Sequence, residues 1–255
     1  MHFDFETSLV IILIVTGFVA AFIDSVVGGG GLITLPTLLF LGLNPAAAVA
    51  TNKLASSIGS LTSTVMFYRS GKIDLTSVYK LFPLVFVGSM LGSWTVHLTN
   101  PEVLKPLMLT MLAVVAIYTI LKKEWGNTST YKKLSTYHFI IFTILIFFIG
   151  FYDGFLGPGT GSFLMFAFLM IGFDFLKAAG SAKFLNFGSN IASLLLFMYL
   201  GQVNYIYGLL MGFSQIAGAI CGSRFAIKKG HGYIRVLFIV VTVLLLAKNM
   251  YDYIH

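Results

Sequence analysis

The chain has 255 residues, of which 58% are hydrophobic and only 10% are charged. Soluble globular domains carry about 25% charged residues, so this composition excludes an ordinary soluble domain and indicates a protein that lies in lipid. The net charge of +7 could suit nucleic acid, but the basic residues cluster in a few loops and near helix ends, so no nucleic-acid partner is expected.

Apolar runs of about 20 residues predict membrane-spanning helices. The first run is interpreted as a retained membrane helix, because Asp4 and Glu6 precede it where a signal peptide would carry Lys or Arg. The sequence therefore predicts an all-α polytopic membrane protein. In chain order the long runs lie near residues 8–27, 46–68, 75–97, 103–121, 138–156, 177–200, 204–224 and 233–252.

Two shorter apolar runs, 31–43 and 161–173, each follow a glycine cluster. Thirteen helical residues reach about 20 Å, which is less than the hydrocarbon core of about 30 Å. Each run is therefore predicted to be a short or broken helix, and whether it crosses fully or re-enters on the same side stays open.

The distribution of Lys and Arg predicts the orientation of the chain. If all ten segments cross and the loop 122–133 is cytoplasmic, the loops around 69–74, 173–177 and 224–235 are cytoplasmic as well. Both termini then lie outside, and the predicted location is the cell (cytoplasmic or inner) membrane. The basic residues on the cytoplasmic side would be Arg69, Lys72, Lys80, Lys122, Lys123, Lys132, Lys133, Lys177, Arg224, Lys228, Lys229 and Arg235.

The two halves of the sequence match when the chain is shifted by 130 residues. Five crossings in each copy would insert the second copy upside down, giving the inverted repeat (5+5) that is common among secondary transporters. Re-entrant short segments would instead make the repeats parallel. The matched residues are Gly29, Gly31, Leu39, Gly42, Ala48, Lys53, Ser63, Phe67, Gly71, Gly88, Gly92 and Ser93 with Gly159, Gly161, Leu169, Gly172, Ala178, Lys183, Ser193, Phe197, Gly201, Gly218, Gly222 and Ser223.

The repeat divides the chain into a first membrane repeat (1–121), a cytoplasmic basic linker (122–137) and a second membrane repeat (138–255). Matched motifs GSMLG (88–92) and GAICG (218–222) have the small-xxx-small spacing of closely packed membrane helices. We expect both motifs to serve packing.

Glycine-rich breaks, GGGG and GPGTG, precede the two short segments. Irregular backbone in a membrane is tolerated where it is buried in protein or lines a cavity, and a helix starting there presents its positive end to an anion. A plain tight hairpin is the alternative. The predicted substrate contacts are Gly28, Gly29, Gly30 and Gly31 in the first half and Gly157, Gly159, Thr160 and Gly161 in the second.

Polar residues follow the two predicted helix N-caps, Asn44 and Asp174. Residues four apart share a helix face, so ammonium, amide and hydroxyl groups form a stripe suited to an oxyanion. The alternative is that each lysine extends to the membrane interface. The candidate residues are Thr51, Asn52, Lys53 and Ser56 in the first half and Ser181, Lys183, Asn186 and Asn190 in the second.

Two acids, Asp24 and Asp153, precede the glycine breaks and lie one position out of register in the 130-residue shift. Buried membrane acids are functional candidates. Either aspartate could accept a coupling proton or a cation, or could neutralise a lysine. Gln215 is a weaker candidate.

With the segments GFVAAFIDSVVGGGGLITLP, NPAAAVATNKLASS, GFYDGFLGPGTGSFL and GSAKFLNFGSNIASL, the chain resembles the sulfite exporter TauE/SafE family over nearly its whole length. The resemblance implies transport of small anions, notably sulfite and organosulfonates, across the cytoplasmic membrane. It carries the substrate contacts onto residues 28–31, Thr51, Asn52, Lys53, residues 157–161, Ser181, Lys183 and Asn190.

Together these features predict a secondary transporter or exporter of small sulfur-containing anions (sulfite, thiosulfate or organosulfonates). The substrate would bind between the repeats, and coupling of its transport to protons is a further hypothesis. A passive small-anion channel is the alternative. An enzyme is not expected, since no nucleophile–base set or HExxH motif occurs, and no cofactor or metal is expected. The expected partners are a small anionic substrate and the lipid bilayer, with a homodimer left open.

Overall fold

The computed structural model describes residues 2–100, 102–103, 131 and 135–229, and every regular element in this part of the chain is helical. The runs near 103–121 and 233–252, and most of the linker 122–137, lie outside the described residues. The helices are α1 (His2–Val27), α2 (Gly31–Phe40), α3 (Pro45–Arg69), α4 (Leu75–Val78), α5 (Phe82–Leu98), α6 (Thr136–Phe155), α7 (Thr160–Met170), α8 (Phe175–Tyr199) and α9 (Tyr205–Lys229), with a 3₁₀ turn at Tyr79–Leu81.

Four of the described segments are long and apolar enough to cross a membrane: Thr7–Val27, Tyr79–Leu98, Thr136–Phe155 and Tyr205–Lys229. They correspond to predicted runs, and the all-α polytopic membrane fold is confirmed. The short apolar helices α2 and α7 have 10 and 11 residues, so each reaches only about half of the hydrocarbon core.

Helices α3 and α8 are 25 residues long, and both carry Ser, Asn and Lys side chains along their length. They pack against each other and against α5 and α9, so Lys53, Lys183 and most of their Ser and Asn side chains are buried in protein. Asn44 and Asp174 cap them as predicted: each side chain accepts a backbone N–H three residues later, at 2.9 Å and 3.0 Å. The caps fix where each polar stripe begins.

The helix bounds repeat along the chain at the offset seen in the sequence. Helix α3 spans residues 45–69 and α8 spans 175–199, a shift of 130. Gly42 and Gly172 adopt positive φ in the turns before these helices, with values of 87° and 94°. Helix α1 packs on α9 and α6 packs on α5, so the first helix of each half pairs with the last described helix of the other.

The span predicted near 75–97 corresponds to Tyr79–Leu98 in the structure, where the short helix α4 and a 3₁₀ turn precede α5. Pro83 lies at the first turn of α5, where its missing N–H is tolerated, whereas inside a continuous helix its ring would clash with the preceding turn. The matching segment carries Phe213 in place of this proline, and α9 is continuous from Tyr205 to Lys229.

The matched glycine motifs allow close helix packing, as predicted. Gly92 lies against the backbone of Phe151 in α6, and Gly222 lies against the backbone of Phe22 in α1. A Cβ atom at either glycine would overlap that backbone. Phe22 and Phe151 are 129 residues apart, as are Asp24 and Asp153, so the packing brings the two aspartates into correspondence.

Candidate functional site

A cavity lies where the glycine breaks meet the polar faces of α3 and α8. Polar groups from both halves of the chain converge on it. Among the described residues its lining is Ala20, Ala21, Asp24, Gly29, Gly30, Gly31, Asn52, Lys53, Ser56, Asp153, Gly157, Gly159, Thr160, Gly161, Asn186, Asn190 and Gln215.

The two glycine breaks touch each other beside this cavity. A Cβ atom on Gly161 would lie 3.0 Å from the Cα atom of Gly28, so the two backbones are closer than side chains would allow. Ser162 strengthens the contact, because its Oγ donates to the backbone oxygen of Val27 at 2.8 Å. At this contact between the two glycine breaks, which we call the crossing, only main-chain atoms meet. The backbone N–H groups of two helix N-termini lie nearby.

The first cross-half ion pair joins α3 to α6. Lys53 Nζ lies 2.8 Å from Asp153 Oδ2, and both side chains are almost fully buried. The ammonium also donates to Asn190 Oδ1 at 3.1 Å. The Lys53–Asp153 pair lies next to Gly157, on the side where a Cβ atom would otherwise be. A buried charge is tolerated when it is both paired and hydrogen-bonded, and Lys53 meets both conditions.

The second cross-half ion pair joins α8 to α1. Lys183 Nζ donates to Asp24 Oδ2 at 2.7 Å, and the N–H of Gly30 donates to Asp24 Oδ1 at 3.2 Å. The Asp24 carboxylate therefore contacts the Lys183 ammonium and the backbone N–H at the start of α2. These are the two kinds of donor predicted for a substrate anion. Lys183 does not line the cavity, since Asp24 and Gly161 lie against its ammonium.

The two ion pairs differ in exposure. The Asp24 side chain is 18% exposed, whereas that of Asp153 is 3% exposed. Gly31, Ser56 and Gly157, which also line the cavity, are partly exposed. Asp24 is therefore the more accessible of the two aspartates at the cavity.

Asparagine amides add uncharged donors to the cavity. Asn52 Oδ1 accepts from Thr34 Oγ1 at 2.6 Å and from Ser56 Oγ at 3.2 Å. Asn186 Oδ1 accepts from Asn190 Nδ2 at 3.3 Å. With their carbonyl oxygens occupied, Asn52 and Asn186 keep their Nδ2 groups without a hydrogen-bond partner among the described residues, and both side chains line the cavity.

Besides Lys183, three predicted contacts lie away from the cavity lining. Thr51 Oγ1 accepts the backbone N–H of Asn204 at 3.0 Å, on a different face of α3 from Asn52. Ser181 is buried in α8, and its Oγ has no partner among the described residues. Gly28 contributes to the backbone crossing with Gly161 rather than to the cavity wall.

The structure also adds two residues to the site. Ala20 and Ala21 line the cavity one turn before Asp24. Gln215, the weaker candidate from the sequence, reaches the cavity from α9 beside Gly59. The sequence offered one signal for the two alanines, because they are small residues that precede a membrane aspartate. In the described part of the chain no three His, Cys, Asp or Glu side chains meet as a metal site would need.

Comparison with known proteins agrees with this architecture. The family described as "Sulfite exporter TauE/SafE" matches residues 13–249. A "Probable membrane transporter protein ORF9" of Sinorhizobium is 38% identical over 254 residues, covering 99% of this chain and 96% of its own length. A "Probable membrane transporter protein" of Haemophilus influenzae is 37% identical, covering 98% of this chain and 97% of its own length.

A third relative is "Probable membrane transporter protein YfcA" of Escherichia coli, 37% identical over 94% of this chain and 89% of its own length. No solved structure shows a significant match to the chain. With its family match over residues 13–249 and its full-length relatives, the chain belongs to the sulfite exporter TauE/SafE family of membrane transporters.

Proposed function

We propose that the protein is a secondary transporter of small sulfur-containing anions, with sulfite, thiosulfate and organosulfonates as the substrate class. The anion binds in the cavity between the two halves, and movement of one half against the other exposes it alternately to each side of the membrane. The halves have inverted topology, with both termini outside the cell.

The donors around the cavity support an oxyanion as cargo. Lys53 supplies an ammonium, Asn52 and Asn186 supply amide donors, and the first turns of α2 and α7 supply backbone N–H groups. A tetrahedral sulfur oxyanion or sulfonate presents several acceptor oxygens at once, so it can use donors that arrive from both halves.

The observation that carries the proposal is the position of Asp24. Its carboxylate, an oxyanion of the protein itself, is held by Lys183 and by the start of α2 at the crossing. A place that already holds one oxyanion has the charge and the hydrogen-bond donors to hold another.

Counterflow in proteoliposomes tests the proposal and separates a carrier from a passive channel. Vesicles are loaded with excess unlabelled sulfite, thiosulfate or methanesulfonate, and radiolabelled anion of the same kind is added outside. A carrier gives transient accumulation of the label that saturates with concentration. A channel gives only equilibration, and the absence of any protein-dependent flux with all three anions would reject the substrate class.

A further inference from the structure

We propose that Asp24 is the group through which proton movement is coupled to anion movement, while Asp153 stays ionised on Lys53. This inference rests on the proposed anion transport and names its coupling ion. The two aspartates are equivalent in the sequence pattern. The structure separates them by what surrounds each carboxylate.

Asp24 competes directly with an incoming anion. Its carboxylate lines the cavity and lies against the Lys183 ammonium, so an anion that enters meets a like charge first. The N–H of Gly30 is occupied by the same carboxylate. Anion binding therefore requires that Asp24 lose its charge or leave this place.

The charges at the crossing sum to zero before the substrate enters. Lys53 and Lys183 are each matched by one aspartate of the opposite half. A bound monoanion would leave one unbalanced negative charge inside the membrane, which is costly in a low-dielectric site. One proton on one of the two carboxylates restores neutrality.

Asp24 is the carboxylate that a proton can reach. Its side chain is partly exposed, whereas that of Asp153 is almost fully buried. Lys53, the partner of Asp153, is in addition held by Asn190. When Asp24 moves away from Lys183, the Lys183 ammonium is left unpaired close to the cavity, and this favours binding of the anion.

Among the described residues that face Asp24, no unpaired carboxylate competes with it as a proton acceptor. Helices α2 and α7 contain no titratable side chain, and α9 faces the cavity with Gln215. Helix α8 brings Lys183 against Asp24. The remaining titratable groups at the cavity in the described residues are Lys53 from α3 and Asp153 from α6, which are paired with each other.

The coupled step moves one proton with one monoanion. The proton passes from water to the Asp24 carboxylate, which becomes a neutral carboxyl group, and Lys183 remains an ammonium. The anion takes the N–H of Gly30 and balances the charge of Lys183. Because binding is reciprocal, the anion raises the proton affinity of Asp24 by the factor by which the proton raises the anion affinity.

The test uses the full chain in proteoliposomes and compares Asp24→Asn with Asp153→Asn. Methanesulfonate is the preferred probe, because a sulfonate carries no proton of its own at neutral pH. If methanesulfonate shows no counterflow, the anion that does is used. Two quantities are measured: label exchange without a pH difference, and net accumulation driven by a pH difference.

In the wild type, a monoanion should accumulate by about tenfold per unit of pH difference. An asparagine side chain resembles the protonated carboxyl group, so Asp24→Asn should still exchange label, at a rate below that of the wild type because Lys183 loses its charged partner, and should lose pH-driven accumulation. Asp153→Asn should lower the melting temperature and lose both activities. Asp174→Asn, at the surface cap of α8, is the control and should keep both.

Three results would overturn the inference. The first is pH-driven accumulation by Asp24→Asn at the wild-type level, and the second is loss of exchange together with accumulation in that variant. The third is wild-type exchange with no response to pH, which would leave the proposed function standing. Failure of the proposed function looks different, because the wild type would then show no exchange with any of the three anions.

Discussion

Lys53 of the first half lies 2.8 Å from Asp153 of the second half, and Lys183 of the second half lies 2.7 Å from Asp24 of the first. Each half thus supplies the cation for one pair and the anion for the other. The reciprocity joins the two halves at the place where the glycine breaks touch. The same residues decide both how the halves hold together and what charge the cavity can accept.

The buried pair makes a prediction about stability. Lys53→Gln or Asp153→Asn alone should each lower the free energy of unfolding by about 3–5 kcal/mol, because each leaves an unpaired buried charge. The double variant should lose less than the sum of the two single losses. Reversible unfolding in mixed micelles measures all three.

The surface pair of Lys177 and Asp174, at 4.0 Å and much more exposed, provides the matched control. Lys177→Gln should change stability by less than about 1 kcal/mol. Equal losses in Lys53→Gln and Lys177→Gln would show that the buried pair does not hold the halves together.

The asparagine donors make a prediction about affinity. Asn52→Asp keeps the side-chain shape and the oxygen that Thr34 and Ser56 donate to, but replaces the Nδ2 donor with a second negative oxygen. A hydrogen bond to a charged group contributes about 1.5–3 kcal/mol, so anion affinity should fall by at least about tenfold. Equilibrium binding of radiolabelled anion measures the change. Unaltered affinity would remove Asn52 from the site.

The bare backbone at Gly161 makes a prediction about transport without loss of fold. Alanine suits a helix better than glycine, but its methyl group at Gly161 would lie 3.0 Å from the Cα atom of Gly28, 3.2 Å from Lys183 Nζ and 3.3 Å from Asp24 Oδ1, so these neighbours must shift slightly. Gly161→Ala should remain folded and lose at least about tenfold in counterflow rate, because a misplaced group at a site is costly.

Gly42→Ala controls for the effect of a new methyl group elsewhere. Gly42 has φ of 87°, and no atom of the described residues lies within 4 Å of a Cβ added there, so alanine strains only the backbone, at about 1–2 kcal/mol. This variant should keep the wild-type counterflow rate. If both variants transport equally well, the space beside Gly161 has no role.

The proposed inverted topology makes a prediction about labelling from the two sides of the membrane. In a Cys221→Ser background, Ser70→Cys after α3 should react with an impermeant maleimide only from the cytoplasmic side. Gln202→Cys, after the matching helix α8, should react only from outside. Reaction of both cysteines from one side would indicate parallel repeats.

Much of the fold could be predicted from local signals in the sequence. The apolar runs, the caps Asn44 and Asp174, and the spacing of the matched glycines placed most helices correctly. The 3₁₀ turn before α5 was not predicted, because hydropathy measures the polarity of the residues and takes no account of the backbone N–H that Pro83 lacks.

The composition of the site was predicted better than its connections. Lys53, Lys183, Asp24 and Asp153 were all candidates, but helical periodicity relates residues only within one helix. The pairing of Lys53 with Asp153 depends on how α3 and α6 pack, which local patterns do not contain. Thr51 shows the converse, since it neighbours Asn52 in sequence but lies on another face, where it binds the N–H of Asn204.

The most direct test of the central claim removes the ammonium of Lys53 without leaving a buried charge. The double variant Lys53→Gln with Asp153→Asn is compared in counterflow with Lys177→Gln plus Asp174→Asn, the same pair of changes at the surface. The account predicts that both proteins fold, that the surface variant exchanges anion at the wild-type rate, and that the cavity variant loses at least about 100-fold, or about 2.7 kcal/mol. Equal exchange by the two variants would contradict it.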